Sequence, residues 1–309
     1  MQEHIISVGP GSSINEALQS IGMSSESVII QLEAGVYTEK VFVDRPNVTI
    51  RGRGRENTRI SFNDAAMTER DGRSLGTFAS ATLTATKPNF KAEKLCIAND
   101  FDYDCHRALV ARNPGKVKGL QAVAFRSTGS SDHTLLSDCS FIGHQDTLLL
   151  DAGTHLVQGC RIEGNIDFIF GSGTVLFEQC TIVSNGPGYV SAPSTKVEDI
   201  GFLFHRCSFT ATHVVPRESV YLGRPWHPGA DPQVNSYALL YDCYEDAHIH
   251  HDGWTWMHAF PPGGGEVVFT AESSRFFETS CSGPGSSNAR ESLAENEVIT
   301  IVQSFLMDW

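Results

Sequence analysis

A short run centred on a cysteine recurs five times along this chain of 309 residues. Each run places the cysteine after two mostly polar residues in an apolar setting: LSDCSF (Leu136–Phe141), VQGCRI (Val157–Ile162), FEQCTI (Phe177–Ile182), FHRCSF (Phe204–Phe209) and LYDCYE (Leu240–Glu245). The first three cysteines, Cys139, Cys160 and Cys180, follow one another at a nearly constant interval. A period near twenty with strand-like content is typical of a stacked solenoid with one coil per repeat. Residues one period apart should then lie above one another, about 4.8 Å apart.

The repeats predict an all-β solenoid that occupies residues 1–309 as a single domain, because no linker interrupts the pattern. A short capped amphipathic helix is predicted after Ser12 and Ser13. The tail Ser292–Gln303 is also predicted to be helical and to lie against the stack. Covers of this kind protect the hydrophobic interior and the open sheet edges of a terminal coil.

Apolar or alternating segments predict strands at Val28–Leu32, Val41–Val43, Val48–Arg51, Thr82–Thr86 and Ala92–Ile97. Irregular stretches interrupt the coils at Asn63–Phe78, Asn99–Lys118 and Pro225–Ser236. Such excursions leave a solenoid on one face and commonly form the walls of a binding groove.

The composition excludes two classes of partner. A net charge of −13 argues against nucleic acid, because a phosphate backbone requires a clustered basic face. Apolar runs such as Val28–Leu32 are far too short to span a membrane. The segment Met1–His4 lacks the basic start and the apolar stretch of a secretory signal.

Eight cysteines suggest disulfides at first sight. However, five of them recur at one position of the repeat, which favours an internal ladder of small buried side chains. In-register side chains point the same way rather than at each other, so we expect free thiols.

Carboxylates and amides recur at about the same period. Asp146 and Asp167 are one such interval apart, and Gln121 and Gln145 are separated by only slightly more. Three successive coils should thus present these groups on one face. Two carboxyls about 5 Å apart do not both ionise freely, so one should hold a proton while the other stays charged. The neighbouring amides offer the neutral N–H donors that a developing oxyanion requires.

Several motifs in order resemble those of the pectin methylesterases: GVYTE (Gly35–Glu39), QAVAF (Gln121–Phe125), QDTL (Gln145–Leu148), DFIFG (Asp167–Gly171) and LGRPW (Leu222–Trp226). SAPST (Ser191–Thr195) and the GW…M of Gly253–Met257 are most similar to the bacterial branch. The resemblance runs over nearly the whole chain. It implies a right-handed parallel β-helix and the removal of methyl groups from methyl-esterified polygalacturonate.

The resemblance also implies catalytic roles. Asp167 would be the nucleophile that attacks the ester carbonyl, and Asp146 the general acid and then the base. Gln145, assisted by Gln121, would line the oxyanion hole. Arg224 would hold the Asp167 carboxylate by charge-assisted hydrogen bonds.

The implied partner is a polysaccharide or oligogalacturonide, bound without a metal or organic cofactor. The side chains matching the family's substrate contacts are Trp226, Trp254, Thr77, Phe170 and Met257. Trp226 and Trp254 lie near glycines and prolines, which favours exposed rings that stack on sugars. One departure is Leu149, which stands where the bacterial enzymes carry an aromatic residue.

The resemblance implies an extracellular or periplasmic enzyme. Because no secretory signal opens this sequence, a cytoplasmic location stays open. We expect a monomer.

Other interpretations stay open from the residues alone. A retaining glycosidase also uses two carboxyls about 5–5.5 Å apart, although an arginine beside them would oppose its cationic transition state. A polysaccharide lyase would need a basic proton abstractor and an acidic calcium cluster. A non-catalytic carbohydrate-binding solenoid would use the tryptophans alone.

Single residues also have structural interpretations. The two glutamines could form an amide ladder along the stack, and Arg224 could form a surface ion pair. The histidines His248, His250, His251 and His258 invite a metal interpretation. We expect a polar coil surface there instead, because no carboxylate or cysteine was identified to complete a ligand set.

Overall fold

The computed structural model describes residues 4–22, 26–112 and 118–309, and most of their regular structure is β-strand. The first strands are β1 (His4–Val8), β2 (Val28–Leu32), β3 (Gly35–Thr38), β4 (Val41–Val43), β5 (Val48–Arg51), β6 (Thr58–Phe62), β7 (Glu69–Arg70), β8 (Arg73–Ser74), β9 (Leu83–Ala85), β10 (Lys91–Glu93), β11 (Cys96–Asn99), β12 (Phe125–Ser127), β13 (Thr134–Ser137) and β14 (Ser140–Ile142). The later strands are β15 (Leu148–Leu150), β16 (Thr154–Gln158), β17 (Arg161–Gly171), β18 (Thr174–Glu178), β19 (Thr181–Pro193), β20 (Phe202–His205), β21 (Ser208–Ala211), β22 (Val220–Gly223), β23 (Tyr237–Tyr241), β24 (Tyr244–Glu245), β25 (Met257–Ala259), β26 (Val267–Phe269) and β27 (Arg275–Thr279). The α-helices are α1 (Ile14–Ser20), α2 (Tyr103–Arg112) and α3 (Glu295–Met307), and short 3-10 helices form at Phe78–Ser80, Pro228–Ala230 and Ala271–Ser273.

The parallel strands stack into three faces. The first face is a ten-stranded sheet in the order β1-β2-β5-β10-β13-β16-β18-β20-β23-β27. The second face begins with β3, β6, β11 and β14, and the third with β4, β9, β12 and β15. The long strands β17 and β19 bend and contribute to both of these faces, which β21, β24 and β22 continue. The chain is therefore a parallel β-helix, which confirms the prediction.

The pairing register reproduces the sequence repeat. On the first face Thr134 pairs with His155 and His155 with Val175, so each step along the stack equals one interval of the cysteine runs. The next step, from Val175 to Phe202, covers more of the sequence because a longer loop leaves the coil. The repeat length thus measures one coil wherever no excursion intervenes.

The predicted cysteine ladder is confirmed. The thiol of Cys160 donates to the carbonyl of Leu136 at 3.3 Å, and that of Cys180 to Val157 at 3.2 Å, one coil back in each case. All eight cysteines are free. The residue before most ladder cysteines has a left-handed backbone, as at Asp138, Gln179, Arg206 and Asp242. A single residue in this conformation turns the chain sharply from the first face to the second.

Both predicted covers are present. In α1, the Ser13 hydroxyl accepts from the N–H of Glu16 at 3.2 Å, and Ile14 is buried against the first coil. The Glu39 carboxylate of the GVYTE motif accepts from the N–H of Ile14 at 2.7 Å, which gives that motif a structural role. At the other end α3 packs Val298 on leucines of the first face. Within the described part of the chain, no helix is long and apolar enough to span a membrane.

The predicted irregular stretch Asn99–Lys118 is corrected by the structure, because Tyr103–Arg112 forms the helix α2. Residues 113–117 of this stretch lie outside the described residues. The helix escaped prediction because only Tyr103 among its residues is buried, so its sequence carries little amphipathic pattern. The Tyr103 ring stacks on His144 with centroids 4.8 Å apart, which fixes α2 beside the third face.

Other details differ from the prediction. The expected strand Ala92–Ile97 is two strands, β10 and β11, separated by a corner at Lys94 with φ 55°. The excursion Asn63–Phe78 contains the antiparallel hairpin β7–β8.

We predict that the interior of the coils dominates stability. Phe177 is fully buried and stacks on Phe204 with centroids 4.5 Å apart. Phe177→Ala should cost about 3–5 kcal/mol, because it leaves a cavity that neighbouring coils cannot fill. Phe42→Ala, at a side chain with 57% exposure, should change stability by about 0.5 kcal/mol or less. Urea unfolding of both variants checks this, and equal midpoint shifts would contradict it.

Candidate active site

A cleft with a volume of about 310 Å³ opens on the third face. It is lined by Thr77, Phe78, Gln121, Gln145, Asp146, Asp167, Phe170, Ala192, Arg224, Trp226 and Met257. Nine of the ten residues predicted as site residues are in this set, and Trp254 is the one that is not. Phe78 and Ala192 were missed, since nothing in their local sequence distinguishes them from ordinary coil residues.

The two aspartates occupy matching positions on adjacent coils. Leu148 pairs with Ile169, and each aspartate lies two residues before its member of this pair. The N–H of Asp146 donates to the carbonyl of Ile166 at 3.0 Å, which ties the two corners together. Asp146 and Asp167 both have left-handed backbones, with φ of 64° and 49°. Aspartate tolerates this conformation better than most residues, and here it directs both carboxyls into the cleft.

Arg224 grips the carboxylate of Asp167 with two parallel hydrogen bonds. Its Nε donates to Oδ1 at 2.8 Å and its Nη2 to Oδ2 at 2.6 Å. The guanidinium lies 3.9 Å above the ring of Tyr189, a cation–π contact that holds its plane. Tyr189 escaped sequence reasoning, although it follows Asp167 by about one coil. The bidentate grip favours an ionised, oriented carboxylate.

The environment of Asp146 is different. Its side chain is buried, and burial followed by the negative charge of Asp167 raises its pKa well above the ordinary value. Arg224 lowers that pKa only in part, because its fork is directed at Asp167. The protonated form is thus favoured at Asp146, while the arginine fork favours a charged carboxylate at its neighbour.

The two glutamines reach the same cleft, Gln145 from the coil of Asp146 and Gln121 from the coil before it. The backbone carbonyl of Gln145 accepts from the N–H of Ala122 at 3.1 Å, and that of Gln121 from Ala66 at 2.8 Å. Their main chains are therefore fixed, while their half-buried side chains line the cleft. Among the described residues, no hydrogen bond joins the two side-chain amides, so the structure does not contain the alternative amide ladder.

Apolar side chains form the floor of the cleft beneath Trp226. The half-buried Trp226 ring contacts Phe170 with centroids 5.7 Å apart. Phe170 belongs to a small apolar cluster, with Ala81, Val123, Leu149 and Ala192. Leu149 is fully buried in this cluster. It supports the floor and provides none of the surface that an aromatic side chain would.

The predicted exposure of Trp254 is wrong. Its ring is 7% exposed and stacks on Phe276 with centroids 4.6 Å apart. Trp254 forms a parallel bridge with Gly223, so it continues the third face by one coil instead of lying in a free loop. It lines a different and larger cavity of about 820 Å³, bounded also by Tyr221 and His251. Sequence reasoning missed this because the bridge joins segments of irregular spacing.

The histidine run is not a uniform polar surface. His248 is buried, whereas His250 and His251 converge with Asp252. A second group, Glu245 and Glu278, is instead occupied by the guanidinium of Arg290, whose Nη1 contacts both carboxyls. Neither group belongs to the cleft that holds the two aspartates.

A parallel β-helix with two neighbouring carboxyls, two amides and aromatic rings in one cleft is an arrangement suited to processing a polysaccharide. Comparison with known proteins agrees. The family model described as Pectinesterase matches residues 7–291. Pectinesterase A of Dickeya chrysanthemi is 34% identical over 96% of this chain and 87% of its own length. The pectin methylesterase of Yersinia enterocolitica is 35% identical over 96% of this chain and 99% of that one, with a TM-score of 0.91.

A further solved structure is a pectin methylesterase in complex with a hexasaccharide. It is 33% identical over 99% of this chain and 97% of that chain, with a TM-score of 0.92. The chain therefore belongs to the pectinesterase family. It is a carboxylic-ester hydrolase of pectin degradation, and the resemblance seen in the sequence motifs is confirmed.

We predict that Asp146 lowers the stability of the folded protein as the pH rises above the acidic range. Between its ordinary pKa of 3.8 and its raised value, the folded state holds a proton that the unfolded chain has released. Wild-type stability should therefore fall as pH rises through this window. Asp146→Asn removes this dependence, and should be more stable than wild type at pH 7 by on the order of 1 kcal/mol or more. Urea unfolding across pH measures the difference, which should shrink towards pH 4.

Asp167→Asn serves as the opposite case, because it leaves the Arg224 guanidinium without its carboxylate. It should lose about 2 kcal/mol at pH 7, less than a fully buried pair would. If both variants lose stability equally at neutral pH, the proposed difference between the two carboxyls is wrong.

Proposed function

We propose that this enzyme hydrolyses the methyl esters of methyl-esterified polygalacturonate and releases methanol, with Asp167 as nucleophile and Asp146 as acid and base. One observation supports this most strongly. An arginine fork holds one carboxylate ionised, and a second, buried carboxyl with a raised pKa lies on the adjacent coil. A nucleophile and a proton donor are thus available together at neutral pH.

In the first half of the reaction, an oxygen of Asp167 attacks the ester carbonyl carbon. The carbonyl oxygen becomes an oxyanion, to which the side-chain amides of Gln121 and Gln145 donate hydrogen bonds. The bond to the methoxy oxygen then breaks, and Asp146 gives its proton to that oxygen. Methanol leaves, and the galacturonate acyl group stays on Asp167 as an anhydride.

In the second half, the Asp146 carboxylate takes a proton from water. The resulting hydroxide adds to the substrate acyl carbon, and the anhydride bond breaks. Asp167 returns as a carboxylate and Asp146 as the acid, while the released galacturonic acid gives its proton to solvent. Arg224 holds Asp167 in place in both halves, which restricts the attack to one trajectory.

The cleft suits a chain of sugar rings. The half-buried Trp226 offers an aromatic face, and Thr77 and Met257 lie on the same cleft surface. Aromatic rings stack on the apolar faces of sugars while polar groups fix their orientation. The related pectin methylesterase bound to a hexasaccharide supports an oligogalacturonide as the ligand here.

A retaining glycosidase fits this site less well. Its transition state is an oxocarbenium cation, and the Arg224 guanidinium next to Asp167 would oppose that charge. The positive charge of the Arg224 guanidinium instead stabilises the anionic tetrahedral intermediate of ester hydrolysis. The positive charge at the site therefore suits acyl transfer, in which negative charge develops.

We predict that Asp167→Asn abolishes methanol release from highly methylated pectin. A neutral amide cannot form the acyl intermediate, so the rate should fall on the order of 10⁴-fold or more. Asp138→Asn is a matched control, because Asp138 is also an aspartate with a left-handed backbone but lies in an exposed corner. Methanol and new reducing ends should be assayed together. A tenth of wild-type activity in Asp167→Asn, or new reducing ends from the wild-type enzyme, would refute the proposal.

We also predict that Arg224→Lys is far from conservative. Lysine provides a point charge without the planar fork and without the same stacking on Tyr189, so Asp167 loses its orientation. The value of kcat should fall at least about a hundredfold, with a smaller change in KM. Arg206→Lys, at an exposed pair with Asp242, is the control. Turnover within twofold of wild type would show that Arg224 does not align the nucleophile.

A further inference from the structure

We propose that His250, His251 and Asp252 form a binding site for a divalent transition-metal ion of the Zn²⁺ type. One donor atom from each residue lies within 4.8 Å of the other two. The three residues are consecutive, and His251 and Asp252 line the cavity of about 820 Å³ that also contains Trp254. This cavity is separate from the cleft of the two aspartates, so the inference does not depend on the proposed reaction.

The observed distances are near those that a tetrahedral ion needs. Nδ1 of His250 lies 3.5 Å from Oδ2 of Asp252, and Nε2 of His251 lies 3.1 Å from Oδ1. With metal–ligand bonds of about 2.0–2.1 Å, the donors of a tetrahedral site are about 3.3–3.4 Å apart. The donor atoms of His250 and His251 lie within 4.8 Å of each other, so side-chain rotation would bring all three groups around one ion.

The Nδ1 atom of His250 faces Asp252 as a hydrogen-bond acceptor. It accepts a hydrogen bond from the backbone N–H of Asp252 at 3.2 Å, an arrangement in which this nitrogen acts as the acceptor of the ring. The His250 ring stacks on Tyr221 with centroids 4.3 Å apart, which restricts its orientation. A metal ion would replace this long N–H···N hydrogen bond, and the N–H of the exposed Asp252 can then donate to water.

Arg290 fixes the backbone of the loop that carries the ligands. Nη2 of Arg290 donates to the carbonyl of His250 at 3.0 Å, and Nε to that of His251 at 3.3 Å. Gly253 closes the turn with φ 71°, and a side chain there would meet Arg290 Nε at 2.5 Å. Because the backbone is fixed, binding costs little conformational entropy. The positive charge of Arg290 faces two glutamates on its other side, which reduces its repulsion of a bound cation.

The donor set selects the kind of ion. Two imidazoles and one carboxylate suit Zn²⁺, Co²⁺ or Ni²⁺, whereas Ca²⁺ and Mg²⁺ prefer oxygen ligands alone. The side chains of His251 and Asp252 are 68% and 60% exposed, so an ion can enter from solvent. Three protein ligands leave at least one position open, which water would fill.

The test is calorimetric titration of Zn²⁺ into the tag-free chain at pH 7.5. We expect one ion per chain, and His251→Ala and Asp252→Asn should each weaken binding at least about tenfold. His133→Ala is the matched control, since His133 also forms an exposed pair with an aspartate, Asp132, at 3.2 Å. Co²⁺ provides a second readout, because a tetrahedral site gives visible absorption that the His251 variant should lack. Circular dichroism confirms that each variant is folded.

Two results would overturn the inference. The first is the absence of stoichiometric Zn²⁺ binding to the wild-type chain. The second is binding that the His251 and Asp252 substitutions leave as strong as in the His133 control, which would place the ion elsewhere.

Discussion

The hydrogen-bonded register between successive coils is the constraint on which the rest of the structure depends. It places Thr134, His155 and Val175 above one another on the first face. On the third face the same register brings Asp146 and Asp167, one repeat apart in sequence, to matching positions. A shift of one residue would turn one of these side chains into the core. The site is thus a consequence of how the coils stack.

That stacking creates an electrostatic conflict, which Arg224 resolves in favour of one carboxyl. The arginine is fixed at the end of β22, beyond β17 in the stack, and grips Asp167 alone. Asp146, buried beside that charge, has a raised pKa. Asp146 lowers the stability of the folded state, because a buried carboxyl next to a second carboxylate is costly to ionise. A cost of this kind is typical of active sites, in line with the proposed role of Asp146 as acid and base.

The repeats predicted the coils, and the motif resemblance predicted most residues of the cleft, including Arg224 and Met257, which follow no repeat. The period of the cysteine runs was enough to predict the coils, the cysteine ladder and the matching positions of the two aspartates. The helix Tyr103–Arg112 escaped because its contacts are tertiary, made mainly by one buried tyrosine. Trp254 was misjudged for the same reason, since its bridge to Gly223 follows a loop of irregular length. Arg290 gave no local signal, because its glutamate partners, Glu278 and Glu245, lie 12 and 45 residues away and follow no repeat.

The central claim is that the two stacked carboxyls differ in protonation, with Asp146 neutral beside an ionised Asp167. Infrared difference spectroscopy of the wild-type enzyme against Asp146→Asn at neutral pH tests it most directly. The wild-type spectrum should show the carbonyl band of a protonated carboxylic acid, and the variant should lack it. A wild-type spectrum in which Asp146 contributes only carboxylate bands would contradict the account.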